Sequence, residues 1–147
     1  MAITKRKDIL DQLRYRLEQI RTTNGAGTDI LTVARQRDTE ADPFSPDECW
    51  AVNIRDGKAS VDHNISSDDH ILPVTIELHA TSRITLPDAE TALADIINCI
   101  DEYGTWGGYA DGTDVESHEI DITQTGDIIT AATIEILIYY TTDKGKI

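Results

Sequence analysis

No stretch of this 147-residue chain approaches the roughly 18 apolar residues of a membrane-spanning helix. Its first residues, MAITKRK, lead into an amphipathic segment rather than a hydrophobic signal core. The expectation is a soluble protein with no recognisable export signal. Cysteine is scarce: Cys49 and Cys99 show no CxxC or metal-type spacing. Both lie in apolar segments, so buried, reduced thiols are expected. Cations are also few, 13 Lys and Arg against 27 Asp and Glu, for a net charge of −14. That balance argues against nucleic-acid binding, which needs clustered Lys and Arg on phosphates. Apolar residues make up 39%, a lean share that leaves room for surfaces buried between subunits. The length suits one domain, residues 1–147, with a core of its own.

Catalytic signatures are missing too. The sequence has no nucleophile elbow, P-loop, dinucleotide fingerprint or HExxH. The GTWGGYADG segment has glycines but no lysine, and it follows a helix instead of opening one, so it is not a phosphate cradle. Ser66, His63 and Asp68 can be assembled on paper into a triad, but nothing in their spacing fixes a geometry. Paired carboxylates are coincidental among 27 acids. No enzyme is read here, and no cofactor. The best metal candidate is the polar segment with His63, Asp68, Asp69 and His70, whose imidazoles and carboxylates suit zinc or manganese. Its spacing matches no established ligand pattern, so the competing reading is a polar loop with incidental histidines.

What is present is organised around Leu72 to Gly112. Val74, Ile76, Leu78 and Ala80 alternate with Thr75, Glu77, His79 and Thr81, the period of a strand with one apolar face. Ala89, Ala92, Leu93, Ile96, Ile97 and Ile100 then form one helical stripe. Thr85-x-x-Asp88 with Pro87 opens that helix and Gly104 closes it. Upstream, a first helix is expected over about Thr4 to Thr22, with Ile9, Leu13, Leu17 and Ile20 inward and Asn24-Gly25 as its stop. A strand follows over Asp29–Arg37. Asp38–Glu48, with five acids and two prolines, reads as an exposed, mobile loop. Cys49–Arg55 forms the next strand, and Asp56-Gly57 a hairpin turn. Lys58 to Ile71 is a polar stretch before the central strand. Strands over Val115–Thr123 and Ile128–Thr142 close the chain, and the second alternates Ile134, Ile136, Ile138 and Tyr140 with Thr133, Glu135, Leu137 and Tyr139. The order predicts an α+β fold, a single mostly antiparallel sheet with two helices on one face.

Charge is distributed unevenly. Residues 1–37 carry eight bases and four acids, +4, and the remainder five bases and 23 acids, −18. One reading is a solvated acidic surface beside an ordinary basic helix. The other is a basic edge, with Lys5, Arg6, Lys7, Arg14 and Arg16, that meets an acidic edge of another copy. Trp106 and Tyr109 likewise either fold over the end of the core or anchor an interface. Glu77, Glu135 and Tyr139, on the polar sheet face, complete the candidate interface set.

The order of an amphipathic helix, polar-looped strands, VTIELHA, a Pro-led helix ending in IDEYGTW, a GGYAD loop and a terminal IYYTT strand resembles a known family. It is similar to the tail terminator proteins of long-tailed bacteriophages, the minor tail protein U group of lambda-like phages. The resemblance covers nearly the whole chain and rests on order and texture; the acidic loop at 38–48 departs from it. It implies a homo-hexameric ring that caps the tail tube, stops its polymerisation and forms the head-joining surface, acting by binding alone. The implied partners are other copies, the tube protein and a head-completion or connector protein, and DNA passes through unbound. The implied location is the virion tail, and the host cytoplasm during assembly. Three other readings stand beside it: another neck or tail-completion component, a small-ligand or metal-binding domain using the His63/Asp68/Asp69/His70 segment, and a monomeric module that binds one folded protein.

Overall fold

The computed structural model describes residues 4–147. Two helices, α1 (Lys5–Glu18) and α2 (Leu86–Tyr103), lie on one face of a six-stranded sheet. The strands are β1 (Thr32–Arg35), β2 (Ala51–Asp56), β3 (Ser60–His63), β4 (Ser67–Thr81), β5 (Gly112–Ile120) and β6 (Ile128–Asp143). Their order is β1-β2-β4-β6-β5, with β3 also on β4; only β1 and β2 pair in parallel. The protein is therefore an α+β domain built on a mostly antiparallel sheet.

The helices form where side-chain caps meet apolar stripes. Thr4 accepts the Lys7 amide at 3.1 Å at the start of α1, and Thr85 with Asp88 makes a reciprocal capping box on α2. Ile9, Leu10, Leu13 and Leu17 of α1 and Ala89, Ala92, Leu93, Ile96 and Ile100 of α2 are buried. They meet Val52 and Ile54 of β2, Leu72 to Leu78 of β4 at alternate positions, and Ile134 to Tyr140 of β6. Each large aliphatic side chain buried this way contributes about 1.5–3 kcal/mol. The first helix ends sooner than its periodicity predicts, at Glu18. Thr22–Asn24 forms a separate 3-10 turn, and Gly25 takes the left-handed conformation, φ 93°, that ends it.

Three expectations are corrected. Asp56-Gly57 is not a hairpin. β2 and β3 run in the same direction, end to end along one edge of β4, pairing with residues 74–79 and 68–71 in turn. The break falls opposite Pro73, which has no N–H to continue a ladder; its carbonyl accepts the Gly57 amide at 2.8 Å instead. The polar stretch from Lys58 to Ile71 is accordingly β3, a tight turn and the start of β4. The acidic segment 38–48 is not a free loop. It is the crossover between β1 and β2, and it is pinned against the sheet through Phe44, which is buried. The strand expected at Val115 begins at Gly112 and ends at Ile120. No helix among the described residues is long and apolar enough to cross a membrane.

Candidate interaction surfaces

The helices cover one face of the sheet, which leaves the other face and the sheet edges open to a site. Strand alternation sends Asn53, Arg55, Glu77, His79, Glu135 and Tyr139 to that outer face. Over β2 and the adjoining part of β4 it is closed by the 38–48 crossover. Phe44 packs against His79, ring centroids 5.0 Å apart, and beneath the Arg37 guanidinium at 4.2 Å. Arg37 holds the crossover in place through Glu48 at 3.0 Å and the carbonyls of Asp42 and Pro43 at 2.9 and 3.1 Å. Its backbone exchanges two hydrogen bonds with the fully buried Asn53 side chain, at 3.0 and 2.9 Å.

Glu77 sits under this cover. Its carboxylate accepts from Arg55 Nε at 2.8 Å, Asn53 Nδ2 at 3.3 Å and His79 Nε2 at 3.4 Å. Burial alone would raise its pKa; the His79 and Arg55 hydrogen bonds more than reverse that and hold it at about 2. Glu77, expected at an interface, is therefore engaged within its own subunit. Glu135 and Tyr139 lie farther along the sheet, outside the 38–48 crossover, Glu135 exposed and Tyr139 partly so. Glu135 accepts from Ser117 Oγ at 3.0 Å. Hydrogen bonding to Asp114 raises the Tyr139 phenol above its ordinary range. A concavity of about 540 Å³ opens beside Tyr139 and Ile71, edged by Asp62, Asp69 and Asp111.

The basic candidates also find partners inside the chain. Lys5 Nζ donates to the Thr141 carbonyl at 2.6 Å, and its amide to the Ile147 carbonyl at 3.0 Å, tying the C-terminal residues to α1. Arg6 and Arg35 both reach the buried Asp56 carboxylate, at 2.7 and 2.9 Å, which joins α1, β1 and β2. Burial opposes ionisation of Asp56, yet the Arg35, Arg6 and Gln36 hydrogen bonds hold its pKa far below the usual carboxylate range. Lys7 pairs with Asp11 and Arg14 with Glu18, both one helical turn away. Arg16 lies 4.0 Å over the Tyr103 ring. Of these cations Lys5 and Arg6 tie α1 to the sheet, Lys7 and Arg14 pair within α1, and Arg16 packs on α2.

The aromatic loop divides its two candidates. Trp106 is 0% exposed, and its indole Nε1 donates to Thr113 Oγ1 at 2.8 Å, which donates to the Gly104 carbonyl at 2.7 Å. Gly107 and Gly108, at φ 75° and 88°, turn the loop back over the end of α2. Trp106 is a core residue and not an interface anchor. Tyr109, three residues on, is 40% exposed and stays available.

The metal candidate does not converge. His63 and Asp68 are cross-strand neighbours, Nδ1 to Oδ1 2.7 Å, but Asp69 points to the opposite face of β4. Asp68 is occupied by the Gly145 amide at 2.9 Å, which with His63 lowers its pKa. His70 is buried, stacked on Tyr140 at 4.5 Å with Nε2 2.9 Å from Thr142 Oγ1, and burial lowers its pKa. Among the described residues no three His, Cys, Asp or Glu side chains form a metal-holding group. Cys99 is buried, its thiol pushed up to about 11 by desolvation; Cys49 is only half-buried, contrary to expectation. One feature escaped the sequence reading: Ile65, at the tip of the β3–β4 turn, is 100% exposed. A β-branched residue in the polar run HNISS was the available signal.

No family model matches the chain, and no curated protein does.

Proposed function

We propose that this protein is a structural subunit of the tail-terminator type, which assembles as a ring on the end of a phage tail tube and acts by binding alone. The observation that carries the reading is where the resembling segments fall. VTIELHA lies in the central strand β4, IDEYGTW spans the end of α2 and its loop, and IYYTT lies in β6, the strand that joins β4 to β5. The surface supports the same reading. The chain carries a net charge of −14, and an acidic wall repels DNA passing through a ring. The partners are other copies in a hexamer, the tube protein on one side and a head-completion protein on the other. The setting is the assembling virion in the host cytoplasm.

The test mixes the purified protein with its cognate tail-tube protein during polymerisation and images the product. Tubes of arrested length with a six-fold cap at one end are expected. Tubes that grow to the same length and remain uncapped in its presence refute the reading. A ring that instead binds only the head-side connector reassigns the protein to the neck.

A further inference from the structure

The β3–β4 turn is built tightly and yet presents an apolar tip. Asn64 closes it by donating its amide to the Ser67 carbonyl at 2.9 Å, and its side chain donates to Asp69 at 3.0 Å. Between these anchors Ile65 projects entirely into solvent. Lys144 stands beside it, Nζ 2.9 Å from the Asn64 carbonyl and 3.8 Å from the buried Asp68. The turn itself, residues 63–67, carries no carboxylate. In an otherwise acidic molecule the tip is an apolar knob with a cation at its side.

A groove of complementary character lies far from it. Leu93, Ala94 and Ile97 of α2 and Ile120 at the end of the edge strand β5 line a shallow, open concavity of about 410 Å³. Glu90 and Glu119 flank this apolar floor, and neither has an ion-pair partner among the described residues. The knob joins the sheet where Ser67 pairs with Asp143, and the groove lies where Glu119 pairs with Thr133. Those positions on β6 are separated by about 33 Å at the rise of an extended strand. Two unlike, complementary patches set far apart along β6 define a heterologous contact, the kind that closes into rings or runs on as filaments.

We infer that Ile65 of one copy seats in the α2–β5 groove of the next, with Lys144 facing Glu90 and Glu119. The contact gives the proposed ring its repeating joint, and only its closure rests on that proposal. A photoreactive maleimide placed on Ser66→Cys, in a Cys49→Ser background, reads the contact without altering Ile65. Mixed with isotope-labelled unmodified protein, free and on tail tubes, it is expected to capture residues 90–97 or 118–120 of a second copy. Ile65→Asp, at a position with no packing to lose, should weaken association by roughly tenfold or more. Lys144→Glu should weaken it too, and Glu90→Lys with Glu119→Lys should restore it. The same samples are imaged. Rings whose cross-links fall elsewhere overturn this contact and leave the ring intact. Groove cross-links within open filaments support the contact and overturn the ring. Single molecules without intermolecular cross-links, free and on tubes, overturn both.

Discussion

Replacing Glu77 by Gln tests whether the outer sheet face is held by charge inside the subunit. The Glu77 side chain is 19% exposed and accepts from Arg55, Asn53 and His79. Its pKa falls from an ordinary 4.5 to about 2 on folding. A difference of about 2.5 units corresponds to about 3 kcal/mol of stabilisation at neutral pH. Because the folded value is the lower one, the stabilisation is complete above pH 4.5 and disappears as the pH falls toward 2. At pH 3 about 1.4 kcal/mol remains. Urea denaturation of the wild type and Glu77→Gln should therefore show a gap near 3 kcal/mol at pH 7, roughly halved at pH 3. Taking the difference between the two proteins cancels the other acids that titrate in the same range. A gap that is absent at pH 7, or that stays constant down to pH 3, would refute the charge network as the source of the stabilisation.

Further outcomes follow from the same structure. Asp56→Asn leaves Arg6 and Arg35 without their shared carboxylate and should cost about 2–3 kcal/mol at pH 7. The penalty should fade below pH 4, since the Asp56 pKa is depressed; chemical denaturation at several pH values reads it. Phe44→Ala should cost about 3 kcal/mol and release the crossover, so that limited proteolysis cuts within residues 38–48 of the variant but not of the wild type. Trp106→Phe should lower thermal stability through loss of the Thr113 hydrogen bond, about 1–3 kcal/mol, whereas Tyr109→Ala should stay within about 0.5 kcal/mol. Calorimetry with zinc or manganese should show no stoichiometric binding, with His63→Ala and His70→Ala behaving as the wild type does.

Acidic segment 38–48 shows where local composition misleads. Five acids and two prolines describe a chain that cannot make a stable helix or a central strand, and it makes only a single 3-10 turn at Pro46–Glu48. Whether it moves freely is a different matter, decided by one phenylalanine and by an arginine contributed from the residue just before it. The aromatic loop shows the converse. Gly104, Gly107 and Gly108 mark a turn in the sequence, but which aromatic goes inward depends on Thr113, which lies beyond the loop on the next strand. The hairpin expected at Asp56-Gly57 failed because its turn chemistry is local, while the partner that matters, Pro73, belongs to β4.

The sequence alone determined both helices, the central and terminal strands, their inward faces and hence the α+β class. Those features arise from periodicities of 3.6 and 2 and from caps, all set within a few residues. Only the tertiary structure decided how the charges are used. Arg6 lies 50 residues from Asp56 and Arg35 lies 21 from it, so the carboxylate they share is met only once the sheet is assembled. It likewise decided that the four metal candidates form no single group: strand alternation sends Asp69 to the opposite face of β4, while Asp68 and His70 are engaged by Gly145 and Thr142. Coulombic pairing and burial depend on distance in space, and a sequence records distance only along the chain.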